Sequence, residues 1–362
     1  MSTDAEPLRR STRIRSTRVL GDLTNKKSAP DGELRGNAKK PRLTRGTSCE
    51  RKEKAAASRS SSASRKRSNS RTTRRSSGVA ARDMPVEHVL TYACDISDKD
   101  KPHMVTEYID ELYKYYKEME RTRAPTMYMH AQTDINARMR AILIDWLVEV
   151  HLKFKLVPST LYLCVSLIDK YCTTNPVPRS KLQLVGVTAL LVACKFEEIY
   201  PPEVRDCVYI TDHAYSREEV LEMEMKMLIF FGYNVASPTC YQFLVRFLRI
   251  GGYSLTCRTA NRASYFSERC LQEHEMLSYK PSLVAASAVY LAMSMEKQNP
   301  WTAELREYSG YDVDQIAPCA RQMSEHVNKN PITASKRPLH AVRKKFESQK
   351  FMEVSAESPP VH

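Results

Sequence analysis

Apolar residues recur at spacings of three and four from about Thr106: Tyr108, Ile109, Leu112, Tyr115 and Tyr116 mark one face, and the pattern stops before Pro125. That periodicity predicts an amphipathic helix ahead of the main body. From Asp134 onward helical periods alternate with short breaks at Val157-Pro158, Asn175-Pro176-Val177-Pro178, Tyr200-Pro201-Pro202 and Ala214-Tyr215-Ser216. Strand-type alternation is scarce, and the segments between breaks have the length of ordinary globular helices. Five helices are predicted from Asn136 to Phe231. After an interruption at Tyr233-Asn234-Val235-Ala236-Ser237-Pro238, a second series starts at Thr239, with helices over roughly 239–249, 256–273, 281–296, 302–309 and 312–328. Pro238 is expected in the first turn of that series, where its missing amide proton costs nothing. The chain therefore reads as all-α, with two consecutive five-helix domains that share little sequence with each other.

Charge changes the picture only at the N-terminal end. The net charge of +14 suggests a nucleic-acid partner. Residues 1–82, however, carry about 23 Lys and Arg against about 7 Asp and Glu, and the remainder is nearly balanced at about 33 against about 35. The segment is rich in Ser, Thr, Arg and Lys and poor in aromatic residues, so it cannot bury enough apolar surface to offset its ordering entropy and is expected to be a disordered tail. Its basic clusters, Ser62-Ala63-Ser64-Arg65-Lys66-Arg67 and Arg71-Thr72-Thr73-Arg74-Arg75, suit nuclear import or loose phosphate contact, or are simply solvated. Paired helical domains that bind nucleic acid, as in transcription-factor-B-like proteins, are the alternative reading, but they need basic residues on the folded surface, and the near-neutral body argues against it.

Other chemistry is sparse. The 10 cysteines never form a C-x-x-C pair, and the 9 histidines form neither H-E-x-x-H nor a Cys/His cluster. Free thiols packed as small apolar residues are expected, with no metal and no cofactor. Walker loops, G-x-S-x-G and the kinase Gly-rich loop are missing, which argues against an enzyme. No run of 18 apolar residues occurs and the start has no apolar secretory core, so the expectation is no membrane span and a nuclear and cytoplasmic location.

The most informative segment is Met139 to Val150. Met139, Ile142, Leu143, Trp146 and Val150 form one helical stripe, and Ala141, Ile144, Leu147 and Val148 cover much of the opposite face. Such a helix is either enclosed by a core or keeps part of one face for a partner. Arg140 and Asp169 lie on mostly apolar helices, where an unpaired charge is expensive, so they are expected to pair with each other.

Met139-Arg140-Ala141-Ile142-Leu143 resembles the opening helix of the cyclin box. It is followed in order by Leu167-Ile168-Asp169-Lys170-Tyr171, Lys181-Leu182-Gln183-Leu184-Val185-Gly186, Ala193-Cys194-Lys195-Phe196-Glu197-Glu198-Ile199-Tyr200-Pro201-Pro202-Glu203, Tyr209-Ile210-Thr211-Asp212 and Met223-Glu224. The similarity continues through Ala236-Ser237-Pro238-Thr239 to Tyr308-Ser309-Gly310-Tyr311 and Arg343-Lys344-Lys345-Phe346, and the pattern is that of mitotic A- and B-type cyclins. The resemblance implies two cyclin-box domains, 136–232 and 233–335, preceded by the tail (1–82) and by a linker with the N-terminal helix (83–135), and followed by a C-terminal extension (336–362).

It also implies a non-catalytic subunit that binds and allosterically activates a cyclin-dependent protein kinase at the G2/M transition. By resemblance Lys195, Phe196, Glu197, Glu224 and Tyr233 grip the kinase; taken alone, Lys195 and Glu224 read as a solvated or intradomain ion pair. Met139, Ile142, Leu143, Trp146, Glu149, Leu182 and Gln183 match a docking groove for Arg-x-Leu segments of substrates and inhibitors, with apolar residues for the Leu and Glu149 for the Arg. In the tail, Thr17 to Asn25 resembles a destruction box read by a ubiquitin ligase, through Arg18, Leu20 and Asn25. Arg18 stands two positions before Leu20, whereas the family pattern places the arginine at the position held here by Thr17.

Overall fold

The computed structural model describes residues 91–296, 300–328 and 339–360. The tail and its Arg18, Leu20 and Asn25 therefore lie outside the described residues. Two helices come first, α1 (Ala93–Asp98) and α2 (Ile109–Arg123). The first five-helix domain follows as α3 (Ala137–Phe154), α4 (Pro158–Thr174), α5 (Leu182–Glu197), α6 (Val204–Ile210) and α7 (Arg217–Phe230). The second comprises α8 (Cys240–Ile250), α9 (Arg258–Leu271), α10 (Pro281–Ser294), α11 (Ala303–Ser309) and α12 (Val313–Asn328), and α13 (Ala341–Phe346) lies beyond it. No strand occurs among the described residues.

Local chemistry sets the helix ends. The Asn136 side chain accepts the Met139 amide at 3.0 Å and opens α3, which satisfies one of the orphan donors of a first turn. Pro158 and Pro281 start α4 and α10 with a backbone angle already helical. Ser216 with Glu219, and Thr239 with Gln242, form reciprocal capping boxes on α7 and α8. The second of these corrects one expectation: Thr239 is the cap and Cys240 the first helical residue, so Pro238 precedes the cap instead of occupying the first turn.

Each domain is built around its third helix. In α5 every residue from Leu182 to Cys194 is buried, and α10 is buried at nearly every position from Val284 to Met293. A helix apolar on all sides has to be enclosed, so its neighbours wrap around it. Gly186 lets α5 approach α3 closely: a Cβ there would stand 2.7 Å from Leu143 Cδ1. The repeat between the domains is thus one of architecture.

α2 packs on the second domain. Glu120 accepts from the Ser282 amide at 2.9 Å and the Ser282 hydroxyl at 2.6 Å, placing a carboxylate at the N-terminus of α10 where the helix dipole favours it. α1 is anchored on α8 by a buried pair between Asp95 and Arg246, at 2.5 and 2.8 Å, whose guanidinium also lies 4.6 Å from the centre of the Tyr308 ring. The C-terminal segment binds both domains. Asp145 of α3 accepts from the Ala341 amide at 2.9 Å, and Lys345 reaches the buried Glu268 of α9 at 2.6 and 2.8 Å. Burial raises the pKa of Asp145, opposed by the bonds it accepts from Ala341 and Gln272.

Candidate functional site

Lys195 sits in the last turn of α5, where the helix dipole favours a cation. Its Nζ bonds Glu224 Oε1 of α7 at 2.6 Å, with the Lys195 side chain 49% and the Glu224 side chain 10% exposed. The carboxylate is thus largely fixed and the ammonium half free, a geometry that aims Lys195 outward. Phe196 beside it is exposed, and the turn that follows carries Ile199 and Tyr200 at 88% and 91% exposure. Met225, Ile229 and Tyr233 extend the exposed apolar surface from α7 and its end. Large apolar side chains grouped at this exposure mark an interaction surface.

The conformations around the patch have local causes. Glu198 accepts from the Val157 amide at 2.8 Å and from Thr160 Oγ1 at 2.6 Å, tying the turn after α5 to the start of α4. α7 ends in a Schellman motif, in which the Gly232 amide bonds the Ile229 carbonyl and the Tyr233 amide bonds the Leu228 carbonyl. Both residues are left-handed, with φ of 56° at Gly232 and 59° at Tyr233. The turn is natural for glycine and costly for tyrosine, and it holds the Tyr233 ring out in solvent. Glu197 is half-buried and close enough to Tyr116 and Tyr241 to help raise their pKa values, after burial itself. Lys195 and Glu224 are thus joined in one pair, Phe196 and Tyr233 stand exposed at the ends of the same two helices, and Glu197 lies toward α2 and α8.

The second set of residues divides by burial. Met139, Ile142 and Glu149 are half-buried on the outer side of α3, whereas Leu143, Trp146, Leu182 and Gln183 are buried. Leu143 has no exposed surface and packs against Gly186. In this structure it lies in the core, behind the accessible edge of the stripe. The accessible part of that surface is Met139, Ile142 and Glu149, with Trp146, Leu182 and Gln183 behind it.

Arg140 and Asp169 form a fork-shaped pair, Nε to Oδ1 at 2.6 Å and Nη2 to Oδ2 at 2.7 Å. Burial alone would lower the Arg140 pKa, but the Asp169 carboxylate overrides it and the group is raised further above its ordinary value. Two partners were not legible in the sequence: the Tyr128 hydroxyl donates to Asp169 at 2.8 Å, and Arg140 donates to the Leu271 carbonyl of the second domain at 3.0 Å. The pair is therefore a joint between domains. A cavity of about 90 Å³ beside it, lined in part by Tyr162, Val165, Cys240 and Cys270, is well below the size of ordinary small-molecule sites. Among the described residues no group of His, Cys, Asp or Glu is arranged to hold a metal, and no helix is long and apolar enough to cross a membrane.

Residues 111–236 match the family model described as "Cyclin, N-terminal domain", and residues 238–360 match "Cyclin, C-terminal domain". "Cyclin-B1-5" of Oryza sativa subsp. japonica is 41% identical over 268 residues, covering 74% of this chain and 58% of that protein. "Cyclin-B1-2" of Arabidopsis thaliana is 44% identical over 231 residues, 64% of this chain and 52% of its own length. "G2/mitotic-specific cyclin-B" of Hydra vulgaris is 40% identical over 261 residues, 72% of this chain and 71% of that protein. The chain thus spans little more than half the length of the two plant relatives. A viral cyclin from herpesvirus saimiri shares the fold, with a TM-score of 0.54 at 20% identity over 60% of this chain and 96% of the viral one.

Proposed function

Because the chain belongs to the cyclins, and within them to the B type, we propose that it is a non-catalytic regulatory subunit that binds and activates a cyclin-dependent protein kinase at the G2/M transition. The observation that carries the reading is the Lys195–Glu224 pair set beside the exposed apolar residues Phe196, Ile199, Tyr200 and Tyr233. Glu224 holds Lys195 where its remaining donors can meet main-chain carbonyls of a partner, and the apolar rim supplies buried area around that polar contact. Activation is allosteric: a kinase orients ATP phosphates with its own Lys–Glu pair, and a subunit that favours the conformation in which that pair forms need supply no chemical group. Met139, Ile142 and Glu149 on α3 form the exposed part of a second surface that recruits Arg-x-Leu segments of substrates and inhibitors. The tail residues Arg18, Leu20 and Asn25 are assigned to turnover through a ubiquitin ligase, and the protein to the nucleus and cytoplasm.

The two surfaces lie on different helices and should separate by mutation. Lys195→Ala with Glu224→Ala is expected to abolish kinase capture and stimulated phosphorylation in a reconstituted assay. Ile142→Ala with Glu149→Gln, chosen because Leu143 and Trp146 are core residues, should keep stimulation on short substrates and lose it on substrates bearing Arg-x-Leu. Full activation by the first variant would overturn the kinase face, and unchanged substrate preference in the second would overturn the groove.

A further inference from the structure

Glu149 has two neighbourhoods. One is the Met139–Ile142 side of α3; the other is a cleft of about 440 Å³ between α3 and the C-terminal segment, walled by Glu149, Lys344, Lys345, Ser348, Lys350 and Phe351. The cleft is positively charged. Lys345 is neutralised by Glu268 at 2.6 Å, but Lys344 and Lys350 are exposed, and among the described residues neither has a carboxylate within ion-pair reach. Lys350 is held over the Phe351 ring, 5.5 Å from its centre, and so stays at the cleft wall. Across from them, Glu149 Oε2 is buried without a hydrogen-bond partner, and Oε1 stands 3.9 Å from His340 Nε2. One orphan acceptor beside two uncompensated cations suits a ligand that carries both charges.

We propose that this lysine cleft is a specificity pocket for an acidic residue of a docked protein segment, lying on the N-terminal side of the arginine that meets Glu149. The proposal rests on the Arg-x-Leu reading of α3. With the leucine over Met139 and Ile142 and the arginine at Glu149, the segment runs along α3 toward the cleft in its N-terminal direction. An extended chain advances about 3.3 Å per residue, so an acidic side chain about two to four residues before the arginine reaches Lys344 and Lys350. The preferred segment is therefore acidic, then Arg-x-Leu, and this chain discriminates against segments with lysine or arginine in the leading positions.

Two fluorescent peptides test this, one with glutamates and one with glutamines at positions two to four before the arginine of an Arg-x-Leu core. The full chain is expected to bind the glutamate peptide about three- to ten-fold more tightly at low salt, the range of two exposed charge contacts, with the preference shrinking at high salt. Lys344→Gln with Lys350→Gln should abolish the preference and leave the glutamine peptide and the melting temperature unchanged. A preference that survives in the variant overturns the proposal. Carbodiimide cross-linking gives a readout independent of the groove: a glutamate peptide lacking Arg-x-Leu should couple to Lys344 and Lys350 at high peptide concentration. If the core peptide fails to bind while those couplings form, the groove reading falls and the acidic pocket stands; if coupling avoids both lysines, the pocket falls.

Discussion

Gly186 of α5 faces Leu143 of α3, and the missing side chain is what allows the two helices to touch. A Cβ would stand 2.7 and 3.1 Å from the two Leu143 methyls, which have no solvent to retreat into. Gly186→Ala is therefore expected to destabilise the protein by about 1–3 kcal/mol, the usual cost of overpacking a filled core, even though alanine is the better helix former. Urea unfolding checks it, and an unchanged midpoint would sink the close-packing account. The same contact sets the burial of Leu143. Leu143 falls on the stripe of Met139, Ile142 and Trp146, and periodicity identifies that stripe correctly. Periodicity does not say which edge of a broad stripe a neighbouring helix will cover, because that depends on a glycine elsewhere in the chain. Arg140 and Asp169 were legible for the opposite reason: two charges on apolar helices leave few outcomes but a mutual pair.

At the scale of elements, the ten helices of the two domains were readable from spacing and breaks, and the five ranges given for the second domain differ from the observed ends by a residue or two where caps set them. The six-residue helices α1 and α13 were not. Six residues hold fewer than two turns, too few to establish a period, and in the sequence Arg343-Lys344-Lys345-Phe346 stands only as one of the segments that carry the cyclin resemblance. In the structure Lys345 is buried and fastens α13 to α9 through the equally buried Glu268. Lys345→Ala should cost about 3–5 kcal/mol, because it leaves a carboxylate buried without a partner. Replacing both, Lys345→Met with Glu268→Leu, should recover most of that loss, since a buried pair gains little over apolar residues of similar volume. Thermal melts of the three proteins test the account; equal destabilisation by the single and double variants would mean that α13 is held by its apolar residues Val342 and Phe346 alone.

On the scale of the whole molecule, the two boxes share a core. Ile144 and Val148 of α3 and Leu161, Tyr162 and Val165 of α4 belong to the same buried cluster as Phe243, Phe247, Phe266 and Leu291 of the second domain. Polar contacts follow the same seam: Arg140 to the Leu271 carbonyl at 3.0 Å, Gln272 to Asp145 at 2.7 Å, and Tyr162 to Ser267 at 2.6 Å. Consecutive domains ordinarily unfold separately, because their interfaces are small and polar and two-state behaviour fails across them. Here, separating the boxes would expose apolar core and strand buried donors and acceptors, each with its own desolvation penalty. The folded body is therefore expected to melt in one transition, with calorimetric and van't Hoff enthalpies equal, and residues 238–360 expressed alone should lack a cooperative melt. Two resolved transitions, or a stably folded isolated second box, would show that the seam is a contact between independent domains.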